Sequence, residues 1–405
     1  MNKIAKDIEE QITKLSTFSK PESLGTTRLP FTHEAKDAAE YIMELMKEAG
    51  LTVRTDESGA VIGRKEGRRK ETYIIGSHYD TVENGGNYDG IAGILCGIQI
   101  AKLLMDCKDM EYSLEIIATN DEEGVRFSGG FFSSKAMLGQ WTVEELKEQK
   151  DKNSVSIYDA MKKYGLHPEQ IGNAKRNLSD IKGFLEIHIE QGPVLEANHR
   201  DLGIVRTIVG MERRMITVYG RADHAGTTPM NMRRDAVEMA AKVIARIGDC
   251  ARKYSETVAT VGYINVMPNT VNTIADKVEF SLDVRSPVKK NIEDVMFEIQ
   301  NILSRNTVFA VQKTLSVEPV EMNTRFRQML TNAAQENEYS WQEINSGAGH
   351  DSLPIGREIP TAMLFVPSIG GRSHCPEEYT EPESLEKAVI VMFQVIKELL
   401  GCKEE

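Results

Sequence analysis

The sequence predicts an α/β protein: a large mixed-sheet domain with helices on both faces, carrying a smaller inserted ferredoxin-like α+β domain. Three observations predict it. Up to about residue 200, short β-rich apolar runs alternate with amphipathic segments, the order of a layered α/β domain. Near residue 205 the pattern becomes strand, helix, two strands, helix, strand, which is the ferredoxin-like order. From about residue 323 the first pattern returns. Residues 1–207 and 322–405 are therefore assigned to the large domain and residues 208–321 to the insertion. Such an insertion is tolerated because domain termini commonly lie close together at the surface.

The elements follow in order. MNKIAKDIEEQITKL alternates charged and apolar residues at helical spacing and has no apolar signal core. AKDAAEYIMELMKEAG (35–50) reads as a helix closed by a glycine. LTVRTD, AVIGRK and TYIIGS are short strands, and the basic run RKEGRRK (64–70) between the last two reads as a solvated hairpin turn. IAGILCGIQIAKLL is a buried helix. SLEIIATN (113–120) and GFLEIHIEQG (183–192) are almost continuously apolar, as strands in the middle of a covered sheet are. In the insertion, RRMITVYGRA (213–222) alternates like a half-exposed strand, and RRDAVEMAAKVIARIGDCARKY (233–254) is a long amphipathic helix. TVATVGYINV and KVEFSLDVRS are strands, NIEDVMFEIQNILSRN (291–306) a helix, and FAVQKTLSVEPV the last strand. RFRQMLTNAAQENE and PESLEKAVIVMFQVIKELL are helices of the returning large domain.

Composition narrows the function classes. With 405 residues, 40% hydrophobic and 27% charged, the chain can build large cores. A net charge of −12 argues against a nucleic-acid partner. No segment approaches 18 uninterrupted apolar residues, so no membrane span is expected. The five cysteines are odd in number and contain no C-x-x-C pair, which fits a reducing cytoplasm.

Four groups carry candidate chemistry. GSHYDTVENGGNYDG (76–90) places His78, Asp80 and Asp89 on a glycine-rich loop between a strand and a helix. Asp121, Glu122 and Glu123 follow the SLEIIATN strand, His188 lies in EIHIEQG and His374 in GRSHCPEEYT. Taken singly, each has a bland reading: turn formers, a hydrogen-bonded strand-end histidine, a helix N-terminal charge set. Jointly they lie at strand ends or loops of one sheet, where open α/β sheets take ligands. Mixed histidine and carboxylate donors suit zinc, manganese or a pair of such ions.

H-x-D on a strand end, N-x-D-G before a helix and D-E-E-G some 30 residues later resemble the dinuclear metallopeptidase and amidohydrolase family. TRLPFT (27–32), NGGNYDG (84–90), IHIEQGPVLE (187–196), DHAGTTPM (223–230), PNTVN (268–272), SGAGHD (346–351) and SHCPEEY (373–379) narrow the resemblance to its ureido-cleaving branch. That branch includes N-carbamoyl-L-amino-acid hydrolase, allantoate amidohydrolase and beta-alanine synthase, and the resemblance runs from about residue 20 to the C-terminus.

The resemblance implies two divalent ions, zinc or manganese, bridged by Asp89. His78 and His188 complete one site, and Glu123 and His374 the other. A histidine at 188, where peptidase relatives carry a carboxylate, marks the ureido branch. Asp80 is expected to hold the far nitrogen of His78, and Glu122 to act as general base. His224 is expected to donate to the oxyanion. In relatives it often comes from a partner subunit, which implies a homodimer through the inserted lid and dimerisation domain. Arg285 and Asn272 are expected to hold the substrate carboxylate, and Gln191, Gly349 and His350 to line the ureido end. Without the resemblance, Arg285 reads as a surface strand residue before a turn. His33, His167 and His199 have no motif around them and read as surface residues. Cys375 departs from the pattern, which expects asparagine after the ligand histidine.

The implied activity is hydrolysis of the terminal C–N bond of a ureido acid, with release of ammonia and carbon dioxide. N-carbamoyl-L-amino acids and allantoate both fit, and EPVEMN (318–323) and FVPSIGGRSH (365–374) lean toward allantoate. An aminopeptidase or dipeptidase on the same scaffold is the alternative. It calls for an acidic residue to receive a free amine, and none is placed for that in the insertion. A non-catalytic binding protein would be expected to have lost Glu122 or a ligand, and all are present.

Overall fold

The computed structural model describes residues 3–402, the side chain of Asn306 excepted. The chain divides into two compact units, one running to Arg206 and resuming at Met322, the other Thr207–Glu321. Helix α1 (Lys3–Ser16) comes first; the two residues before it in the predicted N-terminal helix lie outside the described residues. Helix α2 (His33–Glu48) begins where the Thr32 hydroxyl accepts the Ala35 N–H, a capping bond that satisfies one of the orphan donors of a helix start. Strands β1 (Thr52–Thr55), β2 (Val61–Lys65) and β3 (Thr72–His78) precede α3 (Ile91–Leu103), and β4 (Ser113–Thr119) follows it. Three short helices come next, α4 (Phe132–Met137), α5 (Val143–Glu148) and α6 (Ile157–Tyr164). They pack with Phe31 and Phe127 into a satellite core. Their six to eight residues are too few to show a helical period, so the sequence pattern did not predict them.

Strand β5 (Ile181–Ile189), helix α7 (Val194–Ala197) and strand β6 (Leu202–Ile208) bring the chain to the second unit. There it forms β7 (Gly210–Tyr219), α8 (Ala236–Arg252), β8 (Val258–Thr260), β9 (Ile264–Met267), β10 (Lys277–Ser286), α9 (Lys289–Asn306) and β11 (Val308–Val317). It then makes β12 (Val320–Glu321), α10 (Thr324–Glu336), β13 (Trp341–Ser346), α11 (Ser352–Ile355), β14 (Thr361–Val366) and α12 (Pro382–Leu399).

The large sheet has the order β1-β2-β4-β3-β5-β14-β6-β12, with β13 paired to β6. Its centre, β4-β3-β5-β14, is parallel, and the flanking pairs are antiparallel. The central strands are buried at nearly every position, because both faces are covered. Ile75, Ile116 and Leu185 pack toward the core that holds Ile8, Leu95 and Met392 from α1, α3 and α12. Their neighbours Ile74, Ile117 and Phe184 face the other way, onto Met137 and Ile355 from α4 and α11.

RKEGRRK is not a hairpin turn. β2 and β3 do not pair with each other; both pair with β4, on its opposite edges, so the basic run crosses the start of β4. Arg64 gives Nη1 to Glu115 at 2.7 Å, and the Gly67 N–H reaches the Ser113 hydroxyl at 3.0 Å. Two apolar runs joined by a short polar link look like a hairpin in sequence. The third strand that separates them lies forty residues further along.

The second unit has the sheet order β11-β7-β10-β8, with β9 also on β10, and every pairing is antiparallel. Strand β10 alternates in burial along its length, and its inner residues Val278, Phe280 and Leu282 pack with Val243 of α8 and Val295 of α9. The TVATVGYINV run is split into β8 and β9 at residues 261–263. Gly262 sits in the break, where a residue without a side chain weakens a strand. Among the described residues, no helix is long and apolar enough to cross a membrane.

Candidate metal centre

Parallel strands end on one edge of the sheet, and three of these tips bring donors together. His78 closes β3, His188 lies one residue from the end of β5, and Glu122 and Glu123 follow β4. Asp89 stands just ahead of α3. Gly90 between them has φ 67°, and a Cβ there would sit 2.3 Å from the His78 carbonyl and 2.6 Å from its ring. Only glycine lets the loop fold back on the histidine.

The Asp89 carboxylate faces two sets of donors. Oδ1 lies 3.5 Å from His78 Nε2 and 3.2 Å from His188 Nε2, yet makes no directed hydrogen bond to either. Oδ2 lies 3.1 Å from His374 Nε2, which is 3.2 Å from Glu123 Oε1. Gln191, at φ 58°, donates Nε2 to Asp89 Oδ2 at 2.9 Å. Glu122 offers a carboxylate oxygen within 4.8 Å of His78 and Glu123 donor atoms.

This donor set fits divalent cations. His78 Nδ1 faces the Asp80 carbonyl and His188 Nδ1 the Ile189 carbonyl, both at 3.0 Å. Carbonyls only accept, so both Nδ1 atoms carry hydrogen and neutral rings aim both Nε2 lone pairs inward, 3.5 Å apart. Two lone pairs and a buried, unpaired carboxylate oxygen converge where a cation would satisfy all three. Without one, the field draws protons. Burial alone would lower the His78 pKa, but Asp89, Glu122 and Asp80 override it and hold it well above its ordinary value. His374 is pushed up to about 10 by its bonds to Asp89 and Glu123. Burial, with Glu123, Asp351 and Asp80 nearby, holds the Glu122 carboxyl well above the usual range against the pull of His78.

One expectation changes, and one of the bland readings does not hold. The Asp80 carboxylate, fully buried, is 3.8 Å from His78 Nδ1, whose bond goes to the Asp80 backbone instead. Its two oxygens accept the N–H groups of Glu122 at 3.0 Å and Glu123 at 3.2 Å. The strand tip of β4 lies beside that of β3, so the residue two beyond His78 reaches the neighbouring loop rather than back to the ring. Nor do Asp121, Glu122 and Glu123 start a helix. They lie in non-helical chain, Asp121 at φ 59°, and the next helix begins at Phe132.

His350 is buried, its ring centroid 4.4 Å from that of His188 and its Nε2 2.8 Å from the Ser346 hydroxyl. At Gly349 a Cβ would meet the Phe131 ring at 2.8 Å. His224, Asn272 and Arg285 belong to the second unit. His224 is exposed, and its Nδ1 accepts the N–H groups of Gly226 and Thr227 at 3.1 and 3.2 Å. Asn272 is exposed, and its carbonyl accepts the Ala225 N–H. Arg285 gives Nε to Asp283 at 2.9 Å. His33, His167 and His199 are exposed. Cys375 is a free thiol that accepts Arg372 Nε at 3.4 Å.

Buried carboxylates behind the site escaped the sequence reading. Glu186 accepts the Ser352 hydroxyl at 2.6 Å and N–H at 3.2 Å, and Asp351 takes the hydroxyls of Thr119 and Ser134. Glu378 binds the segments of Asp89 and His374 together. Two of them had a signal in sequence, Asp351 as the last residue of SGAGHD and Glu378 in SHCPEEY.

Residues 74–398 match the sequence profile of peptidase family M20/M25/M40. The chain is 38% identical over 404 residues to an N-carbamoyl-L-amino-acid amidohydrolase of Paenarthrobacter aurescens, covering 98% of each chain. It is 36% identical to an allantoate amidohydrolase of Bacillus subtilis (strain 168), again over 98% of each. Its fold matches the crystal structure of an amidase of the hydantoinase/carbamoylase family from Burkholderia multivorans, with TM-score 0.89 and 29% identity over 99% of this chain and 98% of that one.

Proposed function

The chain belongs to peptidase family M20/M25/M40, and from that premise we propose that it is a metal-dependent amidohydrolase cleaving the carbamoyl C–N bond of a ureido acid. The substrate is an N-carbamoyl-L-amino acid or allantoate, and the products include ammonia and carbon dioxide. The observation that carries the reading is His188: an imidazole, rather than a carboxylate, stands 3.2 Å from the shared Asp89. The names of the two full-length relatives support the substrate class.

His78 and His188 would hold one ion and Glu123 and His374 the other, with Asp89 between them. Zinc or manganese bound there supplies Lewis acidity and lowers the pKa of water toward neutrality. Glu122 takes a proton from the water that adds to the carbamoyl carbon and delivers it to the departing nitrogen. Asp80 fixes the backbone from which Glu122 projects. His224 is prepared to donate: two N–H groups point at its Nδ1, so the hydrogen of the neutral ring sits on Nε2, where it can stabilise an oxyanion. Arg285 and Asn272 receive the substrate carboxylate, and Gln191, Gly349 and His350 the ureido end. The Thr207–Glu321 unit serves as lid and dimerisation domain of a homodimer. The odd, unpaired cysteines favour a cytoplasmic setting.

The test is ammonia release from a panel of N-carbamoyl-L-amino acids, allantoate and dipeptides, with zinc or manganese added to chelated protein. Turnover of ureido acids is expected. Hydrolysis of dipeptides with no ammonia from any ureido acid would overturn the reading in favour of a peptidase.

A further inference from the structure

We propose that Glu378 is a positioning residue that sets the spacing between Asp89 and His374, and so the affinity of the ion those two residues would share. It rests on the reading of both as metal ligands. Glu378 is 3% exposed and acts mainly through the backbone, accepting the N–H groups of Tyr88, Asp89 and His374. Its Oε1 accepts the N–H groups of Tyr88 at 2.9 Å and Asp89 at 3.0 Å. Its Oε2 accepts the Ser373 hydroxyl at 2.7 Å and the His374 N–H at 3.4 Å. One carboxylate thus joins the Ser373–His374 segment to Asp89, which lies 289 residues from Glu378 in the chain.

A second path closes the ring. Gln191 Nε2 donates to Asp89 Oδ2 at 2.9 Å and lies 3.2 Å from the Ser373 hydroxyl. The Asp89 side chain and backbone are therefore both tied to the His374 loop. Gly86 shows how closely the carboxylate is seated: a Cβ there would fall 2.1 Å from Glu378 Oε1. His374 needs such support more than the other ligands. It sits on a loop rather than a strand tip, its side chain is 48% exposed, and its backbone has φ 57°, a left-handed conformation that costs a non-glycine residue energy.

Two substitutions separate position from charge. Glu378→Gln keeps the length but puts an NH2 opposite N–H donors on one side of the bridge. Glu378→Asp keeps the charge but is one methylene too short to span both segments. Changing partners that orient metal ligands costs about 10–100-fold in metal affinity, and both variants are expected to show that loss for one ion while the other ion binds as in the parent. The readouts are calorimetric titration of chelated protein with Mn2+, metal content after dialysis, and hydrogen exchange of the 88, 89 and 374 amides in the metal-free state, which should speed up in both variants. Ser373→Ala, a milder cut of the same bridge, serves if either variant fails to fold, and should weaken the same ion.

Parent-like binding of two ions by both variants, with unchanged exchange, would overturn the proposal. So would a weakened Gln variant beside an intact Asp variant, because that pattern assigns Glu378 a purely electrostatic effect. If the parent protein binds no ion at all, the metal reading fails on its own, and exchange at the three amides still decides whether Glu378 positions the two segments.

Discussion

Asp80→Asn separates two accounts of one buried carboxylate. If Asp80 held the far nitrogen of His78, an asparagine oxygen would serve nearly as well and the fold would barely respond. In the structure its oxygens instead receive the Glu122 and Glu123 N–H groups at 3.0 and 3.2 Å. A hydrogen bond to a charged group contributes about 1.5–3 kcal/mol net. Asparagine keeps one bond, at the ~1 kcal/mol of a neutral pair, and turns its NH2 toward the other N–H, leaving a buried donor unmet at a cost of about 1–3 kcal/mol. Desolvation works the other way: burial holds the Asp80 carboxyl above its ordinary pKa, and a neutral amide escapes that penalty. The balance is a loss of about 1–3 kcal/mol, or roughly 2–6 °C in the melting temperature of a unit this size. Turnover should fall with it, because Glu122 loses its backbone anchor, while the ion held by His78 and His188 binds as before. Thermal unfolding of chelated protein and calorimetric metal titration read the two effects separately. An unchanged melting temperature together with unchanged turnover would refute this account and restore the simpler one.

Three further outcomes follow from the proposed roles. Glu122→Gln should lower turnover by at least ~100-fold, the scale of general-base catalysis, with metal content unchanged; near-normal turnover in fully loaded protein removes Glu122 from the mechanism. Arg285→Lys loses the planar fork, so the Michaelis constant for carboxylate-bearing ureido acids should rise. A constant value would leave Arg285 a structural strand residue beside Asp283. Mixing inactive His224→Ala and Glu122→Gln proteins should restore activity toward half per mixed dimer if His224 serves the partner's site, since one site then carries both defects and the other neither. No recovery after verified subunit exchange would place His224 in its own chain's site.

What the sequence could and could not convey depends on which atoms do the work. The candidate donor cluster was legible because metal-binding chemistry restricts side-chain types: His78, Asp89, Glu123, His188 and His374 are imidazoles and carboxylates at strand ends or loops that the fold brings together, and Gly90 supplies the positive φ that the turn needs. The large sheet was legible because buried parallel strands read as apolar runs, and the second unit because β10 alternates in burial along its whole length. The misreadings share a different cause. Asp80 and Glu378 act on backbone N–H groups, and every residue but proline has one, so no residue type marks the partner. Proximity in sequence then suggests the wrong neighbour, His78 for Asp80, when the true one lies across a sheet edge. The basic run before β3 failed in the same way, since the strand it crosses is distant in the chain. A buried carboxylate four residues from the candidate ligand His374 still needs donors, and those it finds include backbone amides. For Glu378 those amides are the Tyr88 and Asp89 N–H groups, and Gly86 leaves room for the carboxylate, since a Cβ there would fall 2.1 Å from Glu378 Oε1.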